Sequence, residues 1–117
     1  MMYPNNDLAD ALVSALESFL TLDQTIKYFR SIETDLKNAI PYCPTDSDQR
    51  LFKSCLRSAE HARSLAESAM RSLEKHGCLY SIVVDPLVSS IRLFHMQHDS
   101  VLKRSYEIID LLENQQS

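Results

Sequence analysis

The chain has only one glycine, Gly77, and no tryptophan in 117 residues. Average usage would supply about eight glycines in a chain of this length. Glycine is the residue that permits left-handed backbone, tight turns and close approach of the backbone to a phosphate group. The shortage therefore argues against the glycine-rich phosphate loops of nucleotide-binding enzymes and favours long helices.

The scarcity of paired cysteines, long apolar runs and basic side chains argues against other classes of protein. Cys43, Cys55 and Cys78 form no Cys-x-x-Cys pair and leave one thiol over, so we expect reduced thiols and a cytoplasmic protein. The apolar run at residues 82–84 falls far short of the ~20 residues that span a bilayer. Twelve basic against sixteen acidic side chains give a net charge of −4, which argues against nucleic acid and leaves protein partners open.

Apolar residues recur every three or four positions in the first third of the chain, which predicts one long amphipathic helix over about residues 6–40. Pro41 and Pro44 mark its end. A Thr-x-x-Gln capping box at Thr21 offers an alternative start for a separate helix, although the stripe crosses that point in phase. The stripe consists of Leu8, Leu12, Leu16, Phe19, Leu22, Ile26, Phe29, Ile32, Leu36 and Ile40.

A second helix is predicted over about residues 47–76. Thr45 and Asp48, or the pair one position later, have the spacing of a capping box, and Gly77 suits the left-handed position after a last turn. Four alanines in its apolar stripe let a neighbouring helix approach closely or leave room for larger side chains. This stripe consists of Phe52, Cys55, Ala59, Ala62, Ala66, Ala69 and Leu73.

A third helix is predicted over about residues 86–113, after an apolar connector at residues 78–84. Asp85 followed by Pro86 is a start signal, because proline fits the first turn and the aspartate caps it. The apolar residues lie on one broad face that His98 and Ser105 interrupt. They are Leu87, Ile91, Phe94, Val101, Leu102, Ile108, Ile109 and Leu112.

Three long helices joined by short turns predict an all-α fold, an antiparallel bundle that forms a single domain over residues 1–117. In such a bundle the end with Gly77 and the N-terminus holds eight acidic and four basic side chains, whereas the other end holds eight of each. Asp7, Asp10 and Glu17 are therefore candidate partner-binding residues on an acidic surface. The alternative is an ordinary solvated surface.

Apolar side chains exceed what three helices need to bury. The surplus would complete a four-helix core in a homodimer, or receive a helix from another protein. The alternative is that the connector simply covers the end of the bundle. The candidate partner-binding residues in the connector are Leu79, Tyr80, Ile82, Val83 and Val84.

Histidines supply the few candidates for chemistry. His95, His98 and Asp99 have the i, i+3, i+4 spacing of metal ligands on a helix, and an antiparallel second helix would bring His61 to a similar level. We expect instead a hydrogen-bonded, partly buried His98, with no metal and no cofactor.

Two resemblances to known families offer enzymatic alternatives. Arg92 and His98 resemble the arginine and histidine motif of HEPN-type ribonucleases, which implies action on a phosphodiester, although Leu93 stands where that motif usually has a polar residue. His61 resembles the phosphorylated histidine of histidine phosphotransfer domains, which are helical bundles of similar length. Ser64 stands where those domains usually have a lysine.

The leading hypothesis from the sequence is a small acidic, non-enzymatic protein–protein interaction module. An inhibitor, an immunity or antitoxin-like factor, a chaperone or an adaptor would each present a helical face to another protein. The alternative hypothesis is a HEPN-like ribonuclease or a phosphotransfer module that uses His98 or His61.

Overall fold

The computed structural model describes residues 19–77 and 80–116, and these residues form three helices. Helices α1 and α3 each pack along α2 in antiparallel fashion, which confirms the predicted all-α three-helix bundle. No helix in these two stretches is both long and apolar enough to cross a bilayer. The elements are α1 (Phe19–Ala39), a 3-10 turn (Ile40–Tyr42), α2 (Asp46–His76) and α3 (Ser81–Gln116).

Helix α1 ends where the prolines predict. The chain tightens into the 3-10 turn at Pro41, and the Cys43 backbone N–H donates to the Ile40 carbonyl at 3.1 Å. The backbone is already helical at Thr21, so the alternative start at that residue is not used. The predicted start of this helix near residue 6 lies outside the described residues.

Both ends of α2 are fixed by the predicted residues. Thr45 is extended, and its hydroxyl accepts the backbone N–H of Asp48 at 3.1 Å, which confirms the capping interaction. At the other end Gly77 adopts φ 73° and ψ 4°, and its N–H donates to the Leu73 carbonyl at 2.8 Å. The single glycine therefore lies at the single left-handed position among the described residues.

Helix α3 begins at Ser81, ahead of the start predicted at Pro86. The backbone N–H groups of Val83 and Val84 donate to the Tyr80 carbonyl at 2.9 and 3.0 Å, so a complete turn precedes the proline. Pro86 removes one helical hydrogen bond. Val83 and Val84 pack against the core, and we attribute the extra helical turn to that burial. The proline marks a position inside the helix rather than its first turn.

The core combines small side chains on α2 with large ones on its two neighbours. Four alanines of α2 are fully buried, which brings both neighbouring helices close to it. Phe29 of α1 and Phe94 of α3 meet edge to face, with ring centroids 5.0 Å apart and planes at 80°. We call the four alanines the alanine row; they are Ala59, Ala62, Ala66 and Ala69.

Polar contacts fix the register of each helix pair. The Arg63 guanidinium donates to both oxygens of the buried Glu33 carboxylate, at 2.6 and 3.1 Å, and links α2 to α1. The Arg104 guanidinium donates to both oxygens of the buried Asp48 carboxylate, at 2.7 and 3.1 Å, and links α3 to α2. Two-point pairing of this kind fixes both distance and angle, so sliding of either neighbour along α2 would break it.

Candidate functional site

An open groove lies between α1 and α3 at the end of the bundle where α1 stops and α2 begins. Phe52 of α2, Ala39 of α1 and Ser105 of α3 line both of its two adjoining parts, so the parts form one continuous surface. We call this surface the α1/α3 groove. Its other lining residues are Ile32, Asp35, Leu36, Tyr42, Cys43, His98, Val101, Leu102, Ile108 and Ile109.

Side-chain size explains why the groove is open at this level. In the middle of the bundle Phe29 and Phe94 fill the space between α1 and α3. Nearer the end the shared wall residues are Ala39 and Ser105, which are too short to meet across the same gap. The Ser105 hydroxyl also donates back to the Val101 carbonyl at 2.8 Å, which holds it against its own helix. The result is an apolar channel with Phe52 at its base.

The last turns of α3 expose an apolar face beside this groove. The sequence predicted one broad apolar face that runs from Leu87 through Leu112. Its earlier members Leu87, Ile91, Phe94 and Val101 are buried, whereas Leu102, Ile109 and Leu112 are exposed. Leu102 lies beside α1 but lines the open groove, and the later residues lie where α3 continues past Ala39, where α1 ends, and past Asp46, where α2 begins. We call the exposed set the distal face of α3. It consists of Leu102 (43% exposed), Tyr106 (69%), Ile109 (49%) and Leu112 (53%).

Charged side chains border the distal face. The hydrogen bond from Arg104 is the main cause of the lowered pKa of the Asp48 carboxyl, and hydrogen bonds from Thr45 lower that pKa further. Arg104 also donates to Glu107 at 3.0 Å. Lys103 and Asp110 are exposed and lie seven positions apart, so they share the outer edge of the helix. The apolar face is thus flanked by a fixed ion-pair cluster on one side and by two exposed opposite charges on the other.

The partner-binding residues predicted from the sequence lie at the other end of the bundle or outside the described residues. Asp7, Asp10, Glu17 and Leu79 belong to the undescribed stretches. Tyr80 is exposed, with its ring centroid 6.2 Å from that of His76, and Ile82 is 82% exposed.

The remaining two predicted residues, Val83 and Val84, are half-buried and pack against the core. The predicted apolar segment therefore divides into two residues that close the end of the bundle and two that face solvent.

Comparison with known proteins adds no function to this geometry. No protein-family model, curated protein or solved structure matches the chain.

The histidine cluster is mainly part of the packing. His95 is buried and His98 half-buried, and the His98 ring stacks on Phe94 with centroids 5.0 Å apart and planes at 20°. Burial lowers the pKa of both histidines, while Asp99 acts in the opposite direction. Among the described residues no group of three or more histidine, cysteine, aspartate and glutamate side chains is arranged to hold a metal ion. His61 is exposed on α2.

The other candidates for chemistry are also separated. Arg92 is exposed and lies six positions before His98, a turn of about 240° around the helix, so the two do not share a face. Burial raises the pKa of the Cys55 thiol to about 11. Burial and the neighbouring Asp48 raise the pKa of Cys43, which lines the groove. Both thiols are therefore protonated at neutral pH, and both contribute apolar surface.

Proposed function

We propose that this protein is a non-enzymatic protein–protein interaction module and that its α1/α3 groove receives an amphipathic helix. The observation that carries the proposal is the open apolar groove, which continues directly into the distal face of α3. Recognition of a helix in a groove uses apolar anchors spaced three or four residues apart, and two flanking helices supply the walls for such anchors. An inhibitor, an immunity or antitoxin-like factor, a chaperone or an adaptor would act through a surface of this kind.

The energetic support comes from the exposed apolar side chains. Leu102, Ile109 and Leu112 are each about half exposed. Full burial of such a side chain contributes roughly 1.5–3 kcal/mol, so covering the exposed half of each contributes about 1 kcal/mol. Tyr106 adds a large ring with a polar tip, a residue type enriched in interfaces. These side chains together provide several kcal/mol toward binding before the groove itself is filled.

The test places a photo-crosslinking amino acid at Ile109, in the wall of the groove, and in a matched variant at Leu93. Leu93 is also about half exposed on α3 but lies about 160° around the helix from Ile109. In cells of the source organism we expect adducts from position 109 and none from position 93, with the attached peptide identified by mass spectrometry. Equal labelling at both positions, or no adduct from position 109 with the helical content unchanged, would contradict the proposal.

One observation favours a second candidate function. His61 is exposed on α2, as a histidine must be to exchange a phosphoryl group with another protein. The phosphotransfer hypothesis expects labelling of the intact protein by a phosphodonor and its loss in His61→Ala with unchanged melting. A HEPN-like ribonuclease would instead lose activity in His98→Ala without loss of stability. The interaction hypothesis expects that variant to melt earlier, because His98 stacks on Phe94.

A further inference from the structure

We infer that the helix received by the α1/α3 groove is the distal segment of α3, residues 102–113, from a second copy of this chain, in antiparallel orientation. The inference rests on the proposed function of the groove and names its occupant. The occupant must be a helix with an apolar face, bordered by charges complementary to Lys103 and Asp110 on the outer edge of α3. The same molecule displays such a helix at the same end of the bundle.

Self-complementarity is the first support. Helix α3 forms one wall of the groove through Leu102 and Ile109, and the same helix continues beyond the end of α1 with its apolar face uncovered. A two-fold axis across this segment lets each copy supply the fourth helix that the other lacks, which is the isologous arrangement of most dimers. Each α3 then acts as wall and as occupant at once.

The lengths also agree. Residues 102–113 form about 17 Å of helix, and the α1 wall from Ile32 through Tyr42 covers about 15 Å at a similar rise. The segment therefore fills the groove without extending far beyond it. An interface of this size lies toward the low end for specific complexes, so the dimer should depend on protein concentration.

Charge complementarity selects the second copy and sets its direction. Lys103 and Asp110 lie on the same outer edge, two helical turns apart. When Tyr106 packs against Ile109 of an antiparallel second copy, Lys103 comes beside Asp110 of that copy, and the symmetry repeats the pair. In a parallel two-fold pair the same edge of the two helices falls on opposite sides of the interface, so Lys103 and Asp110 of the two copies would not meet. Flanking charges of this kind determine the orientation of helix pairs.

The test measures the dimer dissociation constant of the full chain by light scattering and sedimentation over a wide concentration range. We expect a reversible dimer in which Lys103→Glu and Asp110→Lys each weaken association about tenfold, since each reversal converts two attractive pairs into repulsive ones. The double reversal restores both pairs and should return the constant to within about threefold of the original. Ile109→Glu should abolish the dimer, whereas Leu93→Glu, on the far side of α3, should leave it intact. Helical content and melting of each variant separate loss of association from loss of folding.

Three results would overturn the inference. A monomer at every concentration excludes the second copy. A dimer that ignores Ile109→Glu uses another face, and a dimer without rescue in the double reversal has another register. The crosslink from position 109 distinguishes these failures from failure of the proposed function. An adduct with a different protein keeps the groove as a binding site, whereas an adduct with residues 1–18 of the same chain means that the groove is filled internally.

Discussion

The close packing of the alanine row predicts the sign of the change in unfolding free energy when one of its alanines is replaced by a larger residue. Ala62 is fully buried at the middle of α2. The hydrogen bonds between Gln97 and Ser54 and between Arg63 and Glu33 show that it lies between the levels of Phe94 and Phe29 along that helix. Replacing Ala62 with leucine adds three carbon atoms where two aromatic rings already meet 5.0 Å apart. We expect the variant to be destabilised, because α1 or α3 must move outward to admit the larger side chain.

The magnitude follows from two opposing effects. Overpacking of a filled core costs roughly 1–3 kcal/mol. If the row instead faced empty space, three buried carbon atoms would stabilise the fold by about 2.4 kcal/mol, at ~0.8 kcal/mol for each. The two arrangements thus differ in the sign of the change. A loss of about 2 kcal/mol should lower the melting temperature by roughly 6–12 °C in a chain of this size.

The assay is urea unfolding followed by far-UV circular dichroism, with the slope of the transition checked for constancy. The control is Ser64→Leu on the exposed side of the same helix. It adds a similar side chain without touching the core, so its effect should stay within about 0.5 kcal/mol. An Ala62→Leu variant that is more stable than the parent would refute the close packing of the alanine row, and with it our account of why small residues occupy α2.

Two further predictions concern single residues with defined environments. Burial lowers the pKa of His95 and His98, so these histidines bind protons more readily in the unfolded chain than in the folded one. Their contribution to the unfolding free energy should therefore be constant above the unfolded pKa of about 6.5, and the unfolding free energy should fall as the pH drops below that value. A double His→Gln variant should flatten that fall, and an unchanged slope between neutral and mildly acidic pH in urea titrations would show that other groups cause it. Gly77→Ala should cost about 1–2 kcal/mol of stability, since φ is 73° and the added Cβ meets no atom within 4 Å, leaving backbone strain as the whole effect. Gly77→Asn should cost less because asparagine tolerates this conformation, and equal losses measured by urea unfolding would contradict the strain explanation.

Local signals in the sequence were enough to predict that the bundle has three helices and where α2 begins and ends. Thr45 and Gly77 each determine a helix end through their own backbone and side-chain chemistry, so the boundaries of α2 follow from a few neighbouring residues. The helix start predicted at Pro86 was wrong. The preference of proline for a first turn is also local, whereas the helical turn before it is stabilised by contacts of Val83 and Val84 with the distant core. Tertiary burial outweighed the local preference there.

The candidate site could not be predicted in the same way. Its walls come from Leu36 of α1 and Leu102 of α3, which are far apart in sequence and meet only once both helices are placed on α2. The pairs Glu33–Arg63 and Asp48–Arg104 set that placement, and neither pairing is visible in a single sequence. The sequence nevertheless contains a signal for the exposed distal face of α3. The apolar stripe of the third helix extends well past the residues that face the start of the second, and this surplus length marks the exposed face.

The order of the helices has a consequence for how the chain acquires its structure. Backbone contacts in the described residues are concentrated between helices adjacent in sequence, so the bundle consists of two helical hairpins that share α2. Contacts between near neighbours have a small loop-closure cost, and helical proteins of this kind fold within microseconds to milliseconds. Either hairpin can form first, and each outer helix can detach while the other stays paired. Amide protons of α2 should therefore exchange with solvent most slowly, and those of the last turns of α3 fastest.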